Sequence, residues 1–160
     1  MSQWQTLFAL QAGAAATLTG LVFVAVSLNL SSILTVAGLS GRAAESLLQF
    51  LQVFFVASVG LVPGQPAHLL GWEILAIAGI SWSAQVSGQL KYVRIRAGHR
   101  LSWLVRRVLL SHLATIPFLI AGFRLLAGLP DAIYWLVPGF VFSFVAGITS
   151  SWVLLIEILR

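Results

Sequence analysis

Three polar side chains near the start of the second apolar run of the sequence could form a buried site. Glu45, Gln49 and Gln52 follow one another at spacings of four and three residues, which places all three on one face of a helix. A carboxylate and two amides are costly to leave unpaired in an apolar environment, so this face should point inward, toward other polar groups.

Other apolar runs offer partners at a matching depth. The sequence predicts a candidate ligand site or polar cluster formed by Asn29, Gln49, Gln52, Gln85 and His112, with Ser27 and Ser150 nearby. One interpretation is a hydrogen-bond network that only joins helices. The other is a site where the amides bind a ligand or water and His112 is the titrating group.

A second pair of charges lies near the opposite ends of the helices. Glu73 is about one turn into the third run, and Arg124 is about one turn from the end of the fourth. Consecutive antiparallel helices usually pack as neighbours. We therefore predict an outer Glu73–Arg124 ion pair, either structural or part of an anion or proton site, with Asp131 as the competitor for the arginine.

The residues give no pattern typical of an enzyme or a metal centre. His68, His99 and His112 fall at different depths, so they do not converge as zinc or haem ligands. The absence of cysteine excludes thiolate ligands and disulfides. Nucleophile, zinc-protease and phosphate-loop motifs are also missing from the sequence. We predict no catalysis, no metal and no cofactor.

The composition points to a membrane. Of the 160 residues, 59% are hydrophobic and 8% are charged, and the mean hydropathy is +1.00. These values lie far from those of soluble domains. A spanning helix takes about 20 apolar residues, so the chain has room for about five or six spans and no soluble domain.

Turn residues divide the sequence into five apolar runs. Gly38 and Gly41, the segment 63–66, the basic segment after Leu90 and the segment 128–131 separate them. The sequence predicts an all-α polytopic bundle, one domain over residues 1–160, with spans at about 7–34, 43–62, 68–89, 108–127 and 132–159. The first run is too long for a cleaved leader. A four-span alternative leaves one long apolar run unspanned.

The basic residues predict the orientation. With five spans, the side of the C-terminus holds Arg42, the six basic residues from Lys91 to Arg107, and Arg160, while the other side holds only Arg124. Cytoplasmic loops are rich in Lys and Arg. We predict a multi-pass membrane protein with its N-terminus outside and its C-terminus in the cytoplasm. This asymmetry explains the net charge of +5 without nucleic acid.

Six basic residues surround the connection between the third and fourth runs and could bind anionic lipid head groups at the cytoplasmic face. They are Lys91, Arg94, Arg96, Arg100, Arg106 and Arg107. The alternative is that they only fix the orientation.

Small residues recur along three runs. The fifth run has Gly139, Ser143, Gly147 and Ser151 at four-residue spacing. Shorter stripes are Ala12, Ala16 and Gly20 in the first run and Gly79, Ser83 and Ser87 in the third. Small side chains let helix backbones approach closely in lipid. One interpretation is that the stripes pack helices of one subunit together. The other is that at least one stripe, first of all that of the fifth run, contacts another subunit or another membrane protein.

Three segments carry a resemblance. Residues 20–29 (GLVFVAVSLN), 41–45 (GRAAE) and 61–65 (LVPGQ) resemble a group of small bacterial multi-helix inner-membrane proteins. They lie in the first half of the chain, and the second half is similar only in hydropathy. The resemblance implies a bacterial inner membrane and no particular activity.

Together these features predict a non-catalytic membrane protein that forms an oligomer or serves as an accessory subunit of a larger membrane assembly. The alternative is a small transporter or channel whose path uses the polar cluster in the cytoplasmic half of the bundle. A cavity reaching Gln52 and His112 would favour the alternative. A solid bundle with an exposed small-residue stripe would favour the first interpretation.

Overall fold

The computed structural model describes residues 4–35, 39–95 and 101–158, which are helical apart from short turns. Its elements are α1 (Gln5–Leu28), α2 (Leu30–Thr35), α3 (Leu39–Gly60), α4 (Ala67–Ile95), α5 (Leu101–Leu126), a 3-10 helix (Ala132–Trp135) and α6 (Leu136–Ile158). Within the described residues, five helices are long and apolar enough to cross a membrane. The predicted all-α fold with five such helices is confirmed to that extent.

The first predicted run is not one helix. α1 ends at Leu28, and Asn29 separates it from α2. The Asn29 amide donates to the carbonyl of Ala25 at 2.9 Å, and its backbone N–H bonds Val26 instead of continuing the helical pattern. Asparagine competes with helical hydrogen bonding in this way. The predicted continuous span 7–34 is therefore wrong beyond Leu28.

α3 begins four residues before the predicted start at residue 43. Its first turn contains Leu39 and Ala43, which pack in an apolar cluster with Ile33 of α2 and Leu154 of α6. This packing outweighs the intrinsic helix penalty of Gly41, which is about 1 kcal/mol relative to alanine. The glycine therefore lies inside the helix and not in a turn.

The basic segment is more helical than the sequence indicated. α4 continues to Ile95, and α5 already begins at Leu101, whereas the predicted helices end at 89 and begin at 108. Arginine and lysine are good helix formers, and their long side chains allow a helix to continue past an apolar environment. Arg107 is consequently a helix residue.

Two turns lie at one end of the molecule, as predicted. α3 ends at Gly60, and the segment 61–66 with its two prolines follows it. The segment 127–131 follows α5. Gly64 and Gly128 both have a φ of 69°, which favours glycine. We call this the turn end. The opposite end, which contains Arg42 of α3 and Arg107 of α5, is called the arginine end.

The helices α3, α4, α5 and α6 form a ring in which each packs against the next and α6 closes against α3. Neighbours in the ring are antiparallel: Gly71 of α4 lies against Gly122 of α5, and Gln85 lies against Ser111. α3 and α5 therefore face each other across a four-helix bundle. The bundle interior means the inward faces of these four helices.

Toward the turn end, the interior is apolar and aromatic. Val53 of α3, Ile74 of α4, Phe118 of α5 and Phe140 of α6 belong to one buried cluster. The rings of Phe118 and Phe140 meet edge to face with centroids 5.4 Å apart, a favourable arrangement for aromatic rings. This region is closed to solvent and fixes the register of the four helices.

The small-residue stripe of α6 faces the interior. A Cβ at Gly139 would lie 2.7 Å from the Phe118 ring, and one at Gly147 would lie 2.5 Å from the Phe50 ring. Ser143 is fully buried, while Ser151 is partly exposed and bonds the carbonyl of Gly147. Of the two predicted roles, the structure shows packing within the subunit for the first three positions.

α1 lies outside the ring and packs mainly on α3. Its buried residues are Phe8, Ala15 and Val22, seven residues apart, so only one narrow stripe is covered. Ala12 is partly buried against the apolar cluster, but Ala16 and Gly20 are exposed. The predicted stripe of α1 is therefore not the one that packs on α3.

Candidate functional site

Glutamine side chains from two helices meet in the bundle interior toward the arginine end. Gln49 and Gln52 come from α3 and Gln85 comes from α4, and their exposed fractions are 3%, 1% and 1%. The Gln49 amide donates to the Gln85 carbonyl oxygen at 3.1 Å. The structure thus brings together three of the five residues predicted for the cluster.

α5 adds two hydroxyl groups. Ser111 donates to the Oε1 atom of Gln85. The Nε2 atom of Gln85 donates to the Thr115 hydroxyl at 3.3 Å, and that hydroxyl donates to Oε1 of Gln52 at 3.3 Å. We call Gln49, Gln52, Gln85, Ser111 and Thr115 the polar cluster. It connects three helices and includes a link across the ring.

The cluster ends on a backbone carbonyl of α5. Gln52 donates to the oxygen of Ala114 at 3.4 Å, and Ser143 of α6 also lies 3.4 Å from it. Pro117 lies inside α5 and lacks an N–H, which weakens the hydrogen bonding of the preceding turn. Side chains of neighbouring helices commonly satisfy backbone groups near such prolines. Gln52 and Ser143 reach the carbonyl of Ala114, the neighbour of the Leu113 carbonyl that Pro117 leaves without its usual helical donor.

The chain of hydrogen bonds has a direction. Its donors run from Gln49 through Gln85 to Thr115, whose single hydroxyl hydrogen has two acceptors at 3.3 Å, Oε1 of Gln52 and the carbonyl of Ser111. At the start of the chain, the Oε1 atom of Gln49 is buried and accepts no hydrogen bond. A buried acceptor without a donor costs about 1–3 kcal/mol, which makes this atom the unsatisfied end of the cluster.

A buried ion pair lies one turn closer to the arginine end. The Arg107 Nη2 atom is 2.6 Å from Oε1 of Glu45, and the two side chains are 12% and 11% exposed. The Nε atom of Arg107 also donates to Oε2 of Glu45 at 2.7 Å. Two parallel bonds of this kind are strong and directional. The pair ties α3 to α5 across the ring.

A cavity of about 40 Å³ lies between α3, α5 and α6 beside this ion pair. Its polar lining consists of Arg42, Glu45, Gln49, Arg107, Ser111, Thr149 and Ser150. It is partly open to the surface at the arginine end. The cavity reaches Gln49 but not Gln52 or Gln85, whose side chains are fully buried. Amides and hydroxyls both donate and accept hydrogen bonds, so the site can hold a small polar guest.

Asn29 and His112 do not join the cluster, and these two predictions are wrong. The Asn29 amide bonds the carbonyl of Ala25 in its own helix. The His112 ring bonds the carbonyl of Val108 at 2.8 Å and meets the ring of Trp82 edge to face. His112 lies next to Ser111 but on another face of α5, and Asn29 lies outside the four-helix ring. Counting residues along the chain reveals neither.

The predicted Glu73–Arg124 pair is also wrong. Arg124 binds Asp131 instead, with its Nη2 atom 2.6 Å from Oδ2, and Glu73 accepts a hydrogen bond from Gln65. Asp131 is only seven residues from Arg124, so the shorter loop makes its approach easier. The Arg124 guanidinium hydrogen-bonds to the Asp131 carboxylate and holds its pKa below the usual 3.8.

The six predicted lipid contacts have different outcomes. Lys91 is exposed at the arginine end. The prediction that Arg107 contacts lipid head groups is wrong, because its side chain points inward to Glu45 and does not extend toward a lipid surface. Arg96 and Arg100, and the side chains of Arg94 and Arg106, lie outside the described part of the chain.

Sequence reasoning missed the partners on α5. Arg107, Ser111 and Thr115 follow at four-residue spacing, which marks a polar face as clearly as Glu45, Gln49 and Gln52 do. The two polar faces meet across the bundle interior. Aligning these faces would have identified the buried ion pair and both hydroxyls.

Within the described residues, no three histidine, aspartate or glutamate side chains are close enough to share a metal ion. The chain matches no protein-family model, no curated protein and no solved structure.

Proposed function

We propose that the chain is a multi-pass protein of a bacterial inner membrane, with its N-terminus outside and its C-terminus in the cytoplasm. Large apolar side chains such as Leu21, Ile80 and Ile148 are exposed on its surface, which favours a lipid surrounding. The basic residues Arg42 and Lys91 are at the arginine end, which would face the cytoplasm. Lys91 supports a contact with anionic lipid head groups there.

The absence of cysteine makes the orientation easy to test. His68→Cys places one thiol on an exposed residue at the turn end, and Lys91→Cys does so at the arginine end. A membrane-impermeant maleimide added to intact cells should label the first variant and not the second. The opposite labelling would reject the orientation.

Within that membrane, we propose that the protein is a non-catalytic subunit that self-associates through α1. The observation that carries this proposal is the outward face formed by Ala9, Gly13, Ala16 and Gly20, which are all exposed. Around Gly13 and Gly20 nothing lies within 4 Å of where a Cβ would be. The spacings of four, three and four keep these residues on one side of the helix. We call them the glycine face of α1.

The physical reason for association through small residues is that the helices are surrounded by lipid and not by water. In lipid, apolar helices gain nothing from hiding apolar surface, so association depends on close backbone approach at small residues. The stripe of α6 is already occupied by Phe50 and Phe118 inside the subunit. The glycine face has no such partner. Two copies of one flat face are self-complementary about a two-fold axis, which makes a second copy the simplest occupant.

The test is the mass of the protein in mild detergent. Wild type should be a dimer by size-exclusion chromatography with light scattering, and Gly13→Leu with Gly20→Leu should shift it to monomer. Gly88→Leu is the matched control, because Gly88 is an exposed helical glycine of α4 with nothing within 4 Å. It should leave the dimer intact. A wild-type monomer, or a dimer that survives the double substitution, would contradict the proposal.

The cavity at Gln49 supports a second candidate, a small transporter or channel. Its weakness is that the polar cluster beyond Gln49 is bonded to itself and fully buried. A path would require Gln52 and Thr115 to separate. Ion or proton flux into liposomes that depends on Gln52, tested with Gln52→Leu, would favour this candidate over a structural subunit.

A further inference from the structure

We propose that the cavity between α3, α5 and α6 binds a small oxyanion that carries a hydroxyl group, such as hydrogen phosphate or the phosphate monoester of a lipid. This site is separate from the glycine face of α1 and does not depend on self-association. The charge of the cavity lining, an unsatisfied acceptor in that lining and the volume of the cavity support this ligand.

The charge of the lining selects an anion. Arg42 and Arg107 both line the cavity, and Glu45, which pairs with Arg107, is its one acidic lining residue among those described, so two positive charges face one negative charge. Guanidinium groups present planar sets of donors that match the oxygens of phosphate and carboxylate. The hydroxyl of Ser150 adds a donor from the opposite wall. A metal cation would meet two positive groups at this position.

The Oε1 atom of Gln49 imposes a second requirement. Gln49 is 3% exposed, lines the cavity, and its carbonyl oxygen accepts no hydrogen bond. A fully deprotonated anion would repel this oxygen. An oxyanion with one O–H group satisfies both demands, because its charged oxygens accept from the arginines while its hydroxyl donates to Gln49. The ligand would then complete the hydrogen-bond chain of the polar cluster.

The volume of the cavity limits the size of the ligand. A cavity of about 40 Å³ has room for about three water-sized particles at about 10–15 Å³ each. That suits a single phosphate-type group and excludes a sugar or nucleotide inside the cavity. Because the cavity is partly open, an ester substituent could extend outward. Free phosphate and a lipid phosphate monoester therefore share the required chemistry.

The test uses the full chain in nanodiscs of phosphatidylcholine. The first arm adds sodium phosphate or sodium chloride at equal ionic strength, and the second replaces a tenth of the lipid with phosphatidic acid, a monoester, or phosphatidylglycerol, a diester without the P–OH group. Binding is followed by the thermal unfolding midpoint and by ³¹P NMR. We expect saturable binding of phosphate, of phosphatidic acid or of both, at least tenfold tighter than chloride or phosphatidylglycerol.

Two variants locate the site. Ser150→Leu fills the cavity, and Gln49→Met removes the acceptor while keeping the length of the side chain. Each should weaken binding at least tenfold, while Ser87→Leu, on the exposed face of α4, should leave it unchanged. If one cavity variant does not fold, the other decides. Binding unchanged in a folded cavity variant, no preference over chloride and phosphatidylcholine, or equal binding of phosphatidylglycerol would each overturn the proposal.

Discussion

One ion pair of the described residues lies in the bundle interior and another lies at the periphery, and the two pairs have the same shortest distance. Arg107 and Glu45 approach to 2.6 Å in the interior, and Arg124 and Asp131 approach to 2.6 Å at the turn end. Their side chains differ in exposure, at 12% and 11% against 34% and 49%. The first pair joins two helices across the ring, whereas the second closes a turn within seven residues.

This difference shows that distance alone does not measure what an ion pair contributes. Water and mobile ions screen the exposed pair, and exposed pairs contribute little. The buried pair has lost its hydration, so removing either partner leaves a charge without compensation. The same rule applies to glycines and amides: a substitution should change stability most where neighbouring side chains enclose the residue.

The largest effect should come from the buried ion pair. Glu45→Ala leaves the Arg107 guanidinium in the interior without its carboxylate, which should lower the free energy of unfolding by about 3–5 kcal/mol. The measurement is an SDS titration in mixed micelles followed by tryptophan fluorescence. Asp131→Ala is the peripheral match and should cause a much smaller loss.

The double variant Glu45→Leu with Arg107→Met sharpens this prediction. Apolar replacements of similar volume remove both charges together and can be neutral or stabilising. The double variant should therefore recover most of the stability that Glu45→Ala loses. If it is no more stable than Glu45→Ala, the loss comes from packing and not from the uncompensated charge.

The next effect should come from the centre of the polar cluster. Gln85→Leu keeps the size of the side chain but removes the acceptor of Gln49 and Ser111 and the donor to Thr115. We expect a loss of about 2 kcal/mol in the same titration, since buried polar groups are left unpaired. His112→Leu is the control. His112 hydrogen-bonds the carbonyl of Val108 in its own helix and takes no part in the polar cluster. Equal losses of stability in both variants would show that the cluster contributes no more than a half-buried residue outside it.

A smaller effect should come from close packing at α6. In Gly147→Ala the new methyl group would lie 2.5 Å from the Phe50 ring, which forces the ring to move. Overpacking outweighs the better helix propensity of alanine, and we expect a net loss of about 1–2 kcal/mol. Gly88→Ala meets nothing within 4 Å and should be neutral or slightly stabilising. A loss in both variants would contradict the inward direction of the α6 stripe.

The sequence predicted what depends on composition and on strong breakers. Five apolar runs, the prolines of 63–66 and the glycine at 128 determine the five long helices and the turn end. The polar face of Glu45, Gln49 and Gln52 could be predicted, because residues three and four positions apart lie on the same face of a helix. Its inward direction followed from the cost of exposing such groups.

What the sequence did not predict depends on rotation of one helix relative to another. His112 lies next to Ser111 but on another face of α5, and Asn29 lies on a helix end outside the ring. The Glu73–Arg124 prediction matched depth and sign and still failed, because Asp131 is close along the chain and needs no particular rotation. The sequence also did not predict that α4 and α5 continue into the basic segment. Hydropathy indicates where the lipid environment ends and not where a helix ends.

The smallest effect should be the pH dependence of the peripheral pair. The Arg124 guanidinium lowers the pKa of Asp131 below 3.8, so the folded state favours the charged carboxylate. The sign follows: the stabilisation is complete above the unfolded pKa of 3.8 and is lost as the pH falls through the lower folded pKa. The unfolding midpoint of wild type should slightly exceed that of Asp131→Asn at neutral pH, and the difference should vanish in strong acid. A difference that disappears already near neutral pH, or that grows in acid, would show that Asp131 does not stabilise the turn end through its charge.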